Sequence, residues 1–372
     1  MLCLTDEESL FLKNIKDIAK REIQPSMPTN EDLIVLPEKT LKIMRLIGLF
    51  GLLIPKQYKG IGSSYFLYYL VIKEISKICT SHALTLLSHT LCTYIINEFG
   101  NEDQKRKYLP LMASGDIIGC VCMTEPDAGS DLDAIKTRAD QQNDCFILNG
   151  NKHFITNGST ASLFIVLAKT SQGNNFFDKS LFIIDNENKQ GVNSGKRENK
   201  MGFKGADTSQ IFFSNVKLPL TNLLGKLGQG SLLISQAMMC SRIATASIAL
   251  GIAELAYTIT TKYLKNKPVN NLKDISLFVL AEIATDLKCC ELMIFHGAEL
   301  QASEKQITKH AAMTKYFVTE KAFQIVSNLM NLIGEDAYIS KNRIERCYRD
   351  VRLCKIIEGT NEIQKLIISN YL

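Results

Sequence analysis

Apolar residues in the first third of the chain recur at helical spacing. They fall at Leu10, Ile15, Ile18 and Ala19, then at Leu41, Ile43, Met44, Leu46 and Ile47, then through residues 70–78. Gly and Pro punctuate residues 48–62. The pattern changes near residue 118. Residues 163–168, 180–184 and 210–216 are short β-type runs bounded by Asn, Gly and Asp. Residues 145–155 predict two short strands joined by an Asn149-Gly150 turn. Helical periodicity then returns in 234–239, 243–264, 276–300 and 314–332. The order helix, strand, helix predicts an α+β multidomain chain divided at 1–117, 118–222 and 223–372.

Near the C-terminus, residues 355–363 read Lys-Ile-Ile-Glu-Gly-Thr-Asn-Glu-Ile. The apolar residues that follow, Ile363, Leu366, Ile367 and Tyr371, are helically spaced, which puts Glu358 at the mouth of a helix. Two readings of Glu358 stand at this point. It is a first-turn acid complementing the helix dipole, or an acid that faces a pocket.

Composition narrows the class. The chain has 372 residues, 46% hydrophobic and 22% charged, which suits two or three packed globular units. No unbroken apolar run approaches the ~18 residues that span a bilayer. The acidic start at Asp6, Glu7 and Glu8 is unlike a signal peptide. Together these predict a protein that does not insert into membrane. Eleven cysteines are scattered without a CxxC pair, and no histidine stands at metal-ligand spacing to them. The expectation is a reduced cytoplasmic setting, with no metal site. The net charge of +5 suits an anionic substrate or an acidic partner protein. The absence of a basic stripe interleaved with aromatics argues against nucleic acid.

Three further motifs decide the picture. Residues 123–131 read Met-Thr-Glu-Pro-Asp-Ala-Gly-Ser-Asp, 150–158 read Gly-Asn-Lys-His-Phe-Ile-Thr-Asn-Gly, and 200–208 read Lys-Met-Gly-Phe-Lys-Gly-Ala-Asp-Thr. With Arg242 and the Glu-Gly-Thr run, and in this order, they resemble the acyl-CoA dehydrogenase family of flavoenzymes over essentially the whole chain. The resemblance implies an N-terminal helical domain, a central β-barrel-like domain and a C-terminal four-helix bundle. It also implies α,β-dehydrogenation of an acyl thioester, with FAD bound non-covalently, in a homotetramer. Electrons would pass to an electron-transfer flavoprotein or to oxygen.

Such a reaction needs a base for the α proton, an acceptor for the β hydride and stabilisation of enolate-like charge. No side chain accepts a hydride, so a cofactor is required. The nearest approach to a dinucleotide fingerprint, Gly60-Ile61-Gly62, lacks its third glycine and reads as a turn between helices. Carried over by resemblance, Thr124 and Ser130 bind the flavin, with backbone groups from Val121, Met123 and Gly129 beside them. Phe154 and Thr156 lie on the far side of its ring, Thr156 near N5. Thr360 and Glu362 touch its other end. Ser130, Arg242 and Gly359 contact the substrate. Glu358 is the base, and its backbone N–H holds the thioester carbonyl. The family's second location for the base, just before the helix arginine, holds Ser241 here, which cannot act as one.

Four departures from the family stand out. Phe154 replaces a tryptophan, and Met239 replaces an aspartate. Residues 264–270 replace an Arg-x-x-Phe-Gly turn, and Gly334-Glu-Asp-Ala337 replaces a Gly-Gly-x-Gly loop. The last two regions hold the adenosine half of FAD in the family. These changes leave two alternatives open. One is oxidation of an acyl or aminoacyl group, prolyl among them, tethered to a carrier protein. The other is a non-catalytic scaffold that has lost FAD.

Overall fold

A computed structural model describes residues 4–26, 35–171, 177–266, 273–303, 307–339 and 343–372, with the side chains of 273–275 outside that description. The N-terminal helices are α1 (Asp6–Ile18), α2 (Glu38–Leu46), α3 (Tyr65–Ile78), α4 (Thr80–Phe99) and α5 (Glu102–Ala113). The start of α1 is a capping box. The Thr5 hydroxyl accepts from the Glu8 N–H at 3.1 Å, and the Glu8 carboxylate accepts from the Thr5 N–H at 3.2 Å.

Eight strands follow: β1 (Gly119–Cys122), β2 (Arg138–Gln142), β3 (Cys145–Thr156), β4 (Leu163–Lys169), β5 (Lys179–Ile184), β6 (Val192–Arg197), β7 (Thr208–Pro219) and β8 (Leu223–Leu224). They form one mixed sheet in the order β6-β7-β3-β2-β4-β5-β8, with β1 running parallel to β4. Alternation assigns each face its own core. Leu163, Ile165 and Leu167 of β4 pack with Ile95, Leu109 and Met112 of α4 and α5. Phe164, Val166 and Ala168 pack with Phe146, Phe182 and Ile211 on the other side.

The Asn149-Gly150 turn is corrected by the structure. β3 is a single strand of 12 residues that passes straight through this dipeptide, with a register shift against β7 between Leu148 and Gly150. The hairpin turn lies earlier, at Asn143, where φ is 52°. The glycine is needed for another reason. At Gly150, φ is 155°, and an added Cβ would stand 2.3 Å from the Thr137 hydroxyl and 2.7 Å from Thr137 Cα. The position is a bulge where a neighbouring backbone comes close.

The C-terminal unit comprises α6 (Gly230–Lys265), α7 (Lys273–Ala302), α8 (Thr308–Ile333), α9 (Ile344–Cys354) and α10 (Asn361–Ser369). The separate runs 234–239 and 243–264 are one helix, α6. By length and composition α6 is apolar enough to cross a membrane, although charged residues interrupt its apolar run. Yet 72% of its apolar window is buried inside the protein, as in a core helix. It packs against α3, α4, α7, α8 and α9. All ten described cysteines are free, and only Cys289 is exposed.

Candidate active site

Elements α6, α8 and the turn between α9 and α10 converge on Glu358. The turn ends at Thr360, whose hydroxyl accepts from the Ile363 N–H at 3.4 Å and caps α10. Glu358 and Gly359 both adopt positive φ, 56° and 85°. A left-handed conformation costs a non-glycine residue free energy unless the surroundings impose it. Here they do. Gln364 Nε2 donates to the Gly359 carbonyl at 2.9 Å and reaches those of Glu358 and Thr360 at 3.3 and 3.4 Å. From α8, Lys315 Nζ donates to the carbonyls of Lys355 and Gly359 at 3.1 and 2.9 Å, and to Asn361 Oδ1 at 2.8 Å. An added Cβ at Gly359 would stand 2.7 Å from Gln364 Nε2. Among the described residues, the N–H groups of Glu358 and Gly359 donate to no backbone acceptor.

Opposite the turn, the Ser241 hydroxyl donates to Glu358 Oε2 at 2.8 Å. Arg242 is 6% exposed, and its Nε and Nη1 have no protein hydrogen-bond partner. Buried unpaired donors of this kind are costly until an acceptor reaches them. Burial lowers the Arg242 pKa to about 10, opposed by the Glu358 carboxylate. Burial likewise raises Glu358 above its ordinary value. The Ser241 hydrogen bond and the charges of Arg242 and Lys315 pull it back without reversing the direction. A carboxylate so placed suits proton abstraction near neutral pH better than an exposed one.

A second group surrounds the loop after β1. The Glu125 carboxylate accepts from the N–H groups of Lys136 and Thr137 at 2.6 and 3.0 Å, and from Lys152 Nζ at 2.8 Å. Lys152 is fully buried and also donates to the Met123 carbonyl at 2.9 Å. This ion pair ties the loop to β3. The His153 N–H donates to the Thr124 carbonyl at 2.8 Å. Beside it Phe154 has φ 56°, is 59% exposed and stacks on the His153 ring at 4.0 Å. The Thr156 carbonyl accepts from the Ser88 hydroxyl at 3.3 Å.

Val121, Met123 and Thr124 are partly buried, while Gly129 and Ser130 are exposed. A Cβ at Gly129 would meet nothing within 4 Å. An open backbone, a small side chain and an exposed aromatic face fit a planar cofactor such as FAD.

The structure therefore brings Glu358, Gly359 and Arg242 together, and separately Met123, Thr124 and Phe154. Thr360 is engaged as a helix cap, and Glu362 is exposed in the first turn of α10. Of the replaced regions, Gly334–Tyr338 is a 3₁₀ turn whose Asp336 accepts from the Tyr263 hydroxyl. Residues 267–270 lie outside the described residues. Met239 is partly buried, its sulfur 3.2 Å from the Thr308 hydroxyl. Sequence reasoning missed Lys315, Gln364, Glu125 and Lys152. Glu125 and Lys152 stood inside the 123–131 and 150–158 motifs, and Gln364 was a polar residue in the apolar-spaced run that follows Glu358, whereas Lys315 carried no signal.

Comparison with known proteins places the whole chain in one family. Sequence models of the acyl-CoA dehydrogenase N-terminal, middle and C-terminal domains match residues 5–116, 120–216 and 228–372. An acyl-CoA dehydrogenase of Bacillus subtilis (strain 168) is 37% identical over 375 residues, covering 99% of this chain and 98% of the relative. A 3-(aryl)acrylate reductase of Clostridium sporogenes (strain ATCC 15579) is 35% identical over 374 residues, covering 99% of each. The structure of butyryl-CoA dehydrogenase from Megasphaera elsdenii superposes with a TM-score of 0.95 at 29% identity, covering 100% of this chain and 99% of that one.

Proposed function

The chain belongs to the acyl-CoA dehydrogenase family, and from that premise we propose that it is a FAD-dependent dehydrogenase of short-chain acyl thioesters with Glu358 as its base. The observation that carries this reading is the raised, part-buried Glu358 carboxylate between Ser241 and the unpaired Arg242. Glu358 takes the α proton. Its own backbone N–H, which has no backbone acceptor among the described residues, is the donor for the thioester carbonyl as enolate-like charge develops there. Bound FAD supplies the acceptor for the β hydride. Val121, Met123, Thr124, Gly129, Ser130, Phe154, Thr156, Thr360 and Glu362 are the residues to hold it. Arg242 and Gly359 complete the substrate contacts. The Ser241 hydroxyl orients the carboxylate through its 2.8 Å hydrogen bond. In the reverse direction the same carboxyl returns the proton.

The replacements at Met239 and Gly334–Ala337 support a second reading, in which the acyl or aminoacyl group arrives on a carrier protein. Parallel assays with butyryl-CoA and with carrier-bound acyl and prolyl groups separate the two. Oxygen consumption against reduction of an electron-transfer flavoprotein identifies the acceptor. Assembly as a homotetramer in the cytoplasm goes with the proposal, and light scattering checks the assembly.

The deciding experiment is Glu358→Gln. FAD content should equal the parent's, because the 123–131 and 150–158 segments are untouched. Anaerobic flavin bleaching by an accepted thioester should fall by roughly 100- to 10,000-fold, the range of a lost general base. A variant that bleaches as fast as its parent makes Glu358 a first-turn acid and ends the proposal.

A further inference from the structure

Lys315 is fully buried on α8, and among the described residues no carboxylate lies within ion-pair distance of it. Its three hydrogen-bond acceptors are the Lys355 and Gly359 carbonyls and Asn361 Oδ1, all on the turn that carries Glu358. An ammonium is a strongly hydrated point charge, costly to bury beside neutral groups alone. A neutral amide could serve some of the same acceptors with a smaller desolvation penalty. What it could not bring is positive charge near Glu358.

We propose that Lys315 is a positioning residue for the base: it fixes the left-handed turn at Glu358 and Gly359 and, with Arg242, sets the positive potential in which the Glu358 carboxylate ionises. This rests on the reading of Glu358 as the base.

The surroundings isolate these two cations. The groups that act on Glu358 are Ser241 and Arg242 of α6 and Lys315 of α8. Glu358 in turn influences Tyr68 of α3 and Cys240 of α6, both held neutral because burial pushes them up, Cys240 to about 11. On the far side Lys315 meets Cys354 of α9, pushed up to about 12 by burial, and the exposed Glu362 of α10. Burial lowers Lys315 itself to about 8, so Arg242 and Lys315 are the charges that oppose the burial of the base at neutral pH, and Lys315 ceases to do so in the alkaline range.

The test uses the FAD-loaded protein and three variants. Lys315→Met removes the donors and the charge. Gln364→Leu removes the other clamp on the turn, which shares only the Gly359 carbonyl with Lys315, and leaves the charge. Lys315→Arg keeps the charge in an altered geometry. Two quantities are read against pH: anaerobic flavin bleaching by butyryl-CoA, and protonation of the Glu358 carboxyl by difference infrared spectroscopy with Glu358→Gln as the blank.

Lys315→Met should retain FAD, bleach roughly 10- to 100-fold more slowly at neutral pH, and ionise Glu358 about one pH unit higher. Gln364→Leu should bleach more slowly with the ionisation unmoved. Lys315→Arg should leave the ionisation in place. A Lys315→Met protein that bleaches and titrates like its parent overturns the proposal. If Lys315→Met does not fold, a shifted ionisation in Lys315→Arg, or parental bleaching in Gln364→Leu, overturns it instead. A Glu358→Gln enzyme that still turns over would sink the base itself. A dead Glu358→Gln beside an unmoved Lys315→Met removes only the role of Lys315.

Discussion

At the scale of single residues, Glu358 works against its own stability. It holds φ at 56°, and burial raises its pKa above the ordinary 4.5. The protonated carboxyl is thus the form that the fold prefers. A group with a raised folded pKa contributes stability that is fully present below its unfolded pKa and lost as pH rises through the folded one. Glu358→Gln resembles the protonated form, so at neutral pH it should unfold at a higher temperature than the parent. That difference should disappear as pH falls toward 4.5, the ordinary carboxylate value. Calorimetry at several pH values checks the sign. A variant less stable than its parent at neutral pH would mean that Arg242 and Lys315 outweigh burial, and that Glu358 is an ordinary ion-paired carboxylate. Stability given up at a reactive group is common where an enzyme keeps a base poised.

At the scale of elements, many of the helices were legible, but α4, α5 and α9 were not separately drawn and the reason for the interruption in α6 was not seen. Periodicity found α3, α7 and α8, because each presents an apolar stripe to a neighbour. It broke α6 at residues 240–242, where Cys240, Ser241 and Arg242 interrupt the apolar pattern. The helix does not break there. Those residues are buried, and two of them face Glu358. A polar interruption in a buried helix was therefore the signature of the site. Lys315 was illegible for the complementary reason. A lysine on a helix reads as part of a solvated face, and only the packing of α8 against the 355–361 turn makes it internal. The Asn149-Gly150 dipeptide imitates a hairpin turn, but the approach of Thr137 uses its glycine inside a strand. Local chemistry was right that a glycine was needed and wrong about what needed it. The pairing of Glu125 with Lys152 spans 27 residues and two elements, beyond the reach of any short pattern.

At the scale of the whole molecule, the three units must be held in register for the proposed site to form, since Glu358 lies in the C-terminal unit and the 123–131 and 150–158 segments in the middle one. Asp350 is one joint between them. It is 2% exposed on α9. One oxygen accepts from the Phe203 N–H of the middle unit at 2.6 Å, and the other accepts from the Thr80 hydroxyl at the start of α4, also at 2.6 Å. Arg346, one turn earlier on α9, lies 3.5 Å away. Phe203 itself is buried in the helical core with φ 50°, so the 200–208 motif acts as a plug between units as well as a marker of the family. Asp350→Ala strands a buried N–H, a hydroxyl and part of a guanidinium charge at once. Removing one partner from a buried charged network typically costs about 3–5 kcal/mol. The variant should lose that much in urea-induced unfolding, and trypsin should cut faster at Lys200 and Lys204, beside the freed plug. Both effects should exceed those of Asp350→Asn, which keeps one acceptor for the Phe203 N–H. If Asp350→Ala unfolds within about 1 kcal/mol of the parent and is cleaved no faster, the units are held in register by apolar packing alone, and Asp350 is a satisfied polar group within that interface.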